Sequence, residues 1–241
     1  MKIYKACVII VFERQGGFME LRIIARIYTD FKEKFGIPRQ SGIARDTVGK
    51  IVFEKEYRRP EAIRGIEGYS HLWLIWHFSE TDRESWTPTV RPPKLGGNKR
   101  IGVFATRSPF RPNPIGLSSV KLEAVVHTDD EGDVLFVRGA DILDGTPIYD
   151  IKPYLKYTDS HEDAIGGFAD GVLDSKLKVN FSKEYIDRVS EGERAAIISI
   201  LENDPRPGYK DGGDHIYGMK YASYEIFFKV ENNDLTVTDL K

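Results

Sequence analysis

The chain has 241 residues, 41% of them hydrophobic and 12% aromatic, enough for one large soluble domain or two modest ones with a packed core. Its single cysteine, Cys7, excludes an internal disulfide and a cysteine-built zinc site and fits a reducing, cytoplasmic setting; no apolar run approaches the roughly 20 residues that span a bilayer. The net charge of −2 is unevenly divided: Ser85–Lys121 holds Arg91, Lys94, Lys99, Arg100, Arg107, Arg111 and Lys121 with no Asp or Glu, so this island carries +7 and the rest −9, which suits a local anionic partner as well as a solvated loop.

At the start, Ala6–Phe12 is apolar behind Lys2 and Lys5, but Glu13 and Arg14 close it and no small-residue cleavage site follows. It reads as an extra strand, or residues 1–18 form an extension to a core that begins near Met19. From Glu20 to about Tyr157, short runs rich in β-branched and aromatic residues alternate with Gly and Pro: Leu21–Tyr28, Lys50–Glu54, His71–Phe78, Gly102–Thr106, Leu117–Val126 and Val134–Arg138. Without amphipathic helices between them, they predict a closed or nearly closed antiparallel sheet. Pro60–Ile66 predicts one helical turn. In His71–Phe78, alternation puts Leu72, Leu74, Trp76 and Phe78 on a core face and His71, Trp73, Ile75 and His77 on a face suited to a pocket or subunit contact.

After Tyr157 the pattern changes. Thr158–Gly171 reads as a linker, and Ser182–Asn203 as two helical pieces, the second opened by a Ser190/Glu193 capping box with Ala196, Ile197, Ile200 and Leu201 facing a core. Tyr224–Val230, Asn232-Asn233 and Leu235–Thr238 predict a hairpin. The expected architecture is mainly β: an antiparallel barrel over residues 19–158, then a small α+β domain over residues 159–241.

Several familiar sites are missing. No G-x-G-x-x-G follows a strand, and there is no P-loop or G-x-S-x-G turn. His71 and His77 lie six residues apart on one strand, so their backbones stand about 20 Å apart and share no ion; no metal site is expected. Ser70 beside His71 does not make a hydrolase, because neighbouring strand residues point to opposite faces. The chemistry gathers in Thr89–Gly116 and Asp141–Tyr154. Six of twelve prolines (88, 92, 93, 109, 112, 114) lie between Ser85 and Lys121, giving rigid irregular backbone that suits a preorganised site carrying Arg and Asn, or equally sheet corners with paired arginines. Asp141-Ile142-Leu143-Asp144-Gly145-Thr146-Pro147 reads as a tight turn whose carboxylates and exposed backbone groups could read an adenine edge and hold ribose hydroxyls or an amino group, or equally as an Asx-turn between strands.

The run Ala105-Thr106-Arg107-Ser108-Pro109-Phe110-Arg111-Pro112-Asn113-Pro114-Ile115-Gly116-Leu117 resembles the signature of the TrmO (YaeB, TsaA-like) family of tRNA methyltransferases. Glu33–Gln40, Ser70–Trp73, Pro88–Pro93, Asp144–Pro147, Asp150–Tyr154, Asp204–Pro207 and Tyr209 agree in order and spacing, so the likeness runs from about Met19 to the C-terminus; residues 1–18 have no family counterpart. The resemblance implies a β-barrel enzyme that uses S-adenosyl-L-methionine, works as a homodimer and holds tRNA partly through its C-terminal domain. It implies methylation of the exocyclic nitrogen of threonylcarbamoyl-adenosine, 3′ of the anticodon, chiefly in threonine tRNA. Cofactor contacts are implied at Pro38, Arg39, Gln40, His71, Leu72, Arg107, Leu117, Asp144, Gly145, Thr146 and Pro147.

On that basis Arg107 is expected to clamp the cofactor carboxylate as a bidentate partner, Leu72 and Leu117 to pack on the adenine, and the Asp144 turn to read its edge. A ureido nitrogen must lose its proton on attack; His71, Asp144 and Asp150 are base candidates, unranked. Arg91, Arg111, Asn113, Lys152, Tyr154, Arg206 and Tyr209 are candidate tRNA contacts, with Trp73 or Tyr154 stacking on the splayed base. The competing reading is a barrel that binds S-adenosylmethionine or RNA without chemistry.

Overall fold

A computed structural model describes residues 13–14, 17–18, 20–81, 85–92, 95, 99–172, 176–206 and 215–241. The apolar run Ala6–Phe12 and Tyr209 lie outside these residues, as do Lys94 and Gly96–Asn98 of the basic island. Strands β1 (Glu13–Arg14) and β2 (Gly17–Phe18) pair as a short antiparallel ladder. The barrel then takes β3 (Ala25–Thr29), β4 (Val48–Phe53) and β5 (His71–His77). Two-residue strands β6 (Thr89–Val90) and β7 (Ile101–Gly102) form a side ladder before β8 (Ile115–Thr128), β9 (Gly132–Arg138) and β10 (Thr146–Pro153). Six strands close in the order β10-β3-β4-β9-β8-β5, every pair antiparallel, which confirms the closed sheet.

Alternation builds the barrel interior. Ala25 and Ile27 of β3, Ile51 of β4, Leu72 and Leu74 of β5, Leu135 and Val137 of β9 and Ile148 of β10 are all sealed from solvent. Each of the Ile, Leu and Val side chains contributes about 1.5–3 kcal/mol through burial. Fourteen-residue β8 serves two neighbours: Ile115–Lys121 pairs with β5 and Lys121–Thr128 with β9, the latter with a register shift between Leu122 and Ala124. A bulge of this kind bends a long strand and lets a sheet close.

The C-terminal part contains α1 (Lys156–Asp159), β11 (Lys178–Asn180), α2 (Lys183–Ile186), α3 (Glu191–Glu202), β12 (Tyr217–Tyr221), β13 (Tyr224–Glu231) and β14 (Asp234–Leu240). Its sheet runs β11-β14-β13-β12, with β11 parallel to β14. Ser190 caps α3 as expected, its Oγ accepting from the Glu193 amide at 3.4 Å, but the Glu193 carboxylate accepts from the Ser190 hydroxyl at 2.5 Å rather than from its amide, so only half of the capping box is made. Ala196, Ile197, Ile200 and Leu201 are buried, and Asn232 takes φ 56° in the hairpin turn.

Several expectations need correction. Gly102–Thr106 is not a strand beyond Gly102; Val103–Ala105 is a 3-10 turn, because the Thr106 amide and hydroxyl both bond Val103 O, at 3.1 and 2.8 Å. Asp141–Pro147 is a turn only as far as Gly145, after which β10 begins. The linker stretch Thr158–Gly171 ends inside a 3-10 turn, Gly167–Val172. Residues 30–47, between β3 and β4, belong to the packing of the C-terminal part: Phe31 and Ala44 join the core of Ile197, Leu201, Met219 and Phe228. Gly36, at φ +95°, lies against Met219, where a Cβ would come within 2.6 Å of Met219 Cγ. The Ala222 amide bonds Asp30 O at 3.1 Å, so this loop is held between barrel and C-terminal sheet.

Candidate functional site

The Thr106–Leu117 segment is stiffened by a relay of local bonds as well as by its prolines. Ser108 N donates to Thr106 Oγ1 at 3.3 Å, Phe110 N to Ser108 Oγ at 3.3 Å, and Arg111 N to Pro109 O at 2.8 Å. Arg111 turns its guanidinium back onto Val103 O and Thr106 O, at 3.5 and 3.3 Å, so much of its hydrogen bonding braces its own loop. At the end of the segment, Gly116 of β8 is the register partner of Trp76 on the neighbouring strand β5, and a Cβ there would lie 2.2 Å from Trp76 Cε2. The indole occupies the space that a side chain at position 116 would need.

This stiff segment, the 30–47 loop and the start of the Asp141 turn enclose a cleft of about 680 Å³, the size of a small-molecule site. Pro38, Arg39, Gln40, Arg107, Arg111, Leu117, Thr146 and Arg206 line it, bringing together residues up to 168 positions apart in sequence. Arg107 donates to Gln40 Oε1. Leu117 is 57% exposed into this space, an apolar wall without a protein partner over most of its surface. Arg39 Nη2 bonds Arg206 O at 2.6 Å, and Arg206 is held by Asp204 in a two-pronged ion pair at 2.8 and 2.9 Å. The C-terminal part thus closes one side of the cleft.

Other expected residues stand elsewhere. Leu72 is fully buried in the barrel core, so its side chain does not reach the cleft. Asp144 spends both oxygens on structure, Oδ1 accepting from Thr29 N at 2.9 Å and Oδ2 meeting Lys32 Nζ at 2.8 Å, and it faces a neighbouring groove. Gly145 anchors the same corner, its carbonyl bonded by Arg26, and Pro147 is buried in β10. Asp150 pairs with Lys152 at 2.9 Å on the barrel exterior. His71 meets Ser70 Oγ at 2.9 Å through Nδ1 and packs near Tyr154, ring centres 6.1 Å apart. Tyr154 in turn lies 5.6 Å from Trp73, which borders the cleft. An aromatic group therefore runs from His71 through Tyr154 to Trp73 at the cleft margin. Trp73 donates to Asp159 Oδ2 at 2.9 Å; with the Leu155 amide, the stronger influence, this holds the Asp159 carboxyl below its ordinary range. Arg91 and Asn113 are exposed outside the cleft.

Two cleft residues are not singled out by the sequence, which places Trp76 on the core face of its strand and Asp141 only among the carboxylates of its turn. Trp76 supplies part of the surface, its indole nitrogen donating to Ser118 Oγ at 2.9 Å. Asp141 accepts that hydroxyl at 2.6 Å; burial pushes its carboxyl above the usual range, while Ser118 and, more weakly, Arg107 draw it back. Among the described residues no group of three or more His, Cys, Asp and Glu could hold a metal ion, and no helix is long and apolar enough to cross a membrane.

Models of the tRNA-methyltransferase O N-terminal domain and of the TrmO C-terminal domain match residues 26–160 and 174–241. The chain belongs to the TrmO family. The tRNA (adenine(37)-N6)-methyltransferase of Escherichia coli (strain K12) is 41% identical over 214 residues, 86% of this chain and 89% of that protein. A Pyrococcus abyssi protein named a probable S-adenosyl-L-methionine-binding protein is 40% identical over 141 residues, 58% of this chain and 71% of its own. The crystal structure of TrmO from Pseudomonas aeruginosa superposes with a TM-score of 0.73 at 31% identity, covering 92% of this chain and 98% of that one. TrmO membership accounts for the missing glycine loop: the cleft is made by a closed barrel and its connections, not by the mouth of a doubly wound sheet.

Proposed function

We infer that this chain is a tRNA methyltransferase that moves a methyl group from S-adenosylmethionine to the exocyclic nitrogen of the adenosine at position 37. The observation that carries this reading is the cleft itself, where Arg107, Gln40, Leu117 and Trp76 meet in a chain matched by both TrmO models. Its chemistry fits the cofactor: a guanidinium for a carboxylate, apolar surface for a purine, and polar backbone at its edges.

When bound, S-adenosylmethionine supplies an electrophilic methyl on a positively charged sulfur. The protein's task is alignment and exclusion of water. Arg107 holds the carboxylate of the cofactor's amino acid head, Leu117 backs its purine, and Arg39 and Gln40 close the rim. Trp73 and Tyr154 offer stacking surface for the acceptor base beside the cleft, a contact typically worth about 1–3 kcal/mol. The acceptor nitrogen gives up its proton as the new N–C bond forms. Of the three candidate bases, His71 flanks that aromatic pair, whereas Asp144 and Asp150 are committed to Lys32 and Lys152, so His71 is assigned the proton.

The acceptor we propose is threonylcarbamoyl-adenosine in threonine tRNA, with Tyr154 near its carboxylate and the exposed Arg91 and Asn113 toward the phosphates; Lys152 and Arg206, paired with Asp150 and Asp204, are less available for this than the sequence suggested. The homodimer and the cytoplasmic setting are part of the same proposal, supported by the exposed apolar side chains Tyr157 and Ile165 and by the single cysteine. Incubation of the protein with cofactor and tRNA, followed by mass spectrometry of the digested nucleosides, tests the reading. Cofactor binding without a methylated nucleoside favours a non-catalytic barrel instead.

A further inference from the structure

Asp141 stands just before β10, in the wall of the cleft that also holds Arg107. Its carboxylate is aimed by a fixed relay: the Trp76 indole donates to Ser118 Oγ at 2.9 Å, and the buried Ser118 hydroxyl, having accepted there, donates to Asp141 Oδ1 at 2.6 Å. An indole nitrogen only donates, so the direction of this relay is set and Asp141 is its terminal acceptor. The carboxylate feels the Arg107 charge, yet the Arg107 guanidinium bonds Gln40 rather than closing an ion pair with it. Two opposite charges thus line one small cleft as neighbours and remain unneutralised by each other.

A carboxylate withdrawn from water is costly unless a cation or several donors meet it. Burial has already raised the Asp141 carboxyl above its ordinary range, despite Ser118, its own amide, the Arg107 charge and the Ser41 amide, so these contacts do not offset its desolvation. An α-amino acid head answers both groups at once, since one carbon separates its ammonium from its carboxylate. We propose that Asp141 and Arg107 together hold the amino acid head of the cofactor, Asp141 taking the α-ammonium and Arg107 the α-carboxylate. This rests on the function proposed above and adds the second half of the head-group site. It gives Asp141 a binding role that Asp144, fastened to Thr29 and Lys32, does not fill.

Calorimetry on the full chain tests it with three ligands: S-adenosylhomocysteine, its decarboxylated counterpart bearing only the amine, and 5′-methylthioadenosine, which has no head. Asp141→Asn is expected to weaken the first two roughly 10- to 100-fold, the usual range for losing a charge-assisted bond. It leaves 5′-methylthioadenosine within about twofold, which also reports that the cleft is folded. Arg107→Ala weakens S-adenosylhomocysteine but spares the amine-only ligand. Unchanged binding of S-adenosylhomocysteine to Asp141→Asn overturns the inference, as does an equal loss for the headless nucleoside, which would make Asp141 only a brace for Ser118 and Trp76. Should that variant not fold, the wild-type protein decides: deaminated S-adenosylhomocysteine, which keeps its carboxylate, binds at least about tenfold more weakly if the inference holds, and equally well if it fails. If wild type binds S-adenosylhomocysteine not at all, the function proposed above falls, and this inference with it.

Discussion

Adding a single methyl group at Gly116 strikes the cleft through its aromatic lining. In Gly116→Ala the new Cβ would stand 2.2 Å from Trp76 Cε2 and 2.5 Å from Cδ2 and Cζ2, well inside van der Waals contact. The obstacle is a ring whose opposite side packs in the barrel core and lies 4.3 Å, centre to centre, from Phe78. Overpacking of this kind costs about 1–3 kcal/mol. Moving the indole also breaks its bond to Ser118, adding about 0.5–1.5 kcal/mol. A total of about 1.5–4.5 kcal/mol corresponds to a fall in Tm of about 3–18 °C for a chain of this size. Thermal unfolding followed by circular dichroism reads this directly, and calorimetry with S-adenosylhomocysteine reads the distorted cleft. Trimming the ring should restore part of the loss, so Gly116→Ala with Trp76→Phe is expected to be more stable than the additive sum of the two single changes. A Gly116→Ala protein with wild-type Tm and wild-type cofactor affinity would refute the packing account.

Arg107→Ala should weaken S-adenosylhomocysteine binding by about 1.5–3 kcal/mol with an unchanged Tm, and Arg107→Lys should recover little of it because an ammonium cannot reproduce the fork of a guanidinium; calorimetry of both variants checks this. Asp204→Ala removes the carboxylate that holds Arg206, whose carbonyl anchors Arg39, so cofactor affinity should fall although position 204 lies outside the cleft. His71→Ala is expected to lower kcat by about 10²–10⁴-fold with little change in cofactor affinity, measured under single-turnover conditions. The Asp159 carboxyl, held low by Leu155 N–H and then Trp73 N–H, stabilises the fold above its unfolded pKa and ceases to do so as pH falls through its depressed native value. Acid titration should therefore shift Trp73 fluorescence below about pH 4, and Asp159→Asn should abolish that step.

The barrel was legible because its strands alternate: Ala25, Ile27 and Thr29 point one way in β3, and Leu72, Leu74 and Trp76 in β5. β10 was not legible, since Thr146, Pro147, Ile148 and Tyr149 are buried in succession and a proline after Asp-Gly-Thr reads as the end of a turn. Gly102–Thr106 has strand composition, but local Thr106 bonds to Val103 win over pairing. At the site, Arg107, Gln40 and Leu117 could be named from the sequence through family likeness. Asp141 was legible only as one carboxylate of its turn; what sets it apart from Asp144 comes from Ser118 and Trp76, 23 and 65 positions away, and no local pattern marks that convergence. The placement of Leu72 shows the converse: strand alternation assigned it to the core, and that reading described its side chain better than the implied cofactor contact.

The most direct test of the central claim is nucleoside mass spectrometry of threonine tRNA incubated with this protein and S-adenosylmethionine. Threonylcarbamoyl-adenosine is expected to become heavier by one methylene, and the same tRNA lacking the threonylcarbamoyl group to stay unmodified. A protein that binds S-adenosylhomocysteine yet leaves every nucleoside unchanged would contradict that claim.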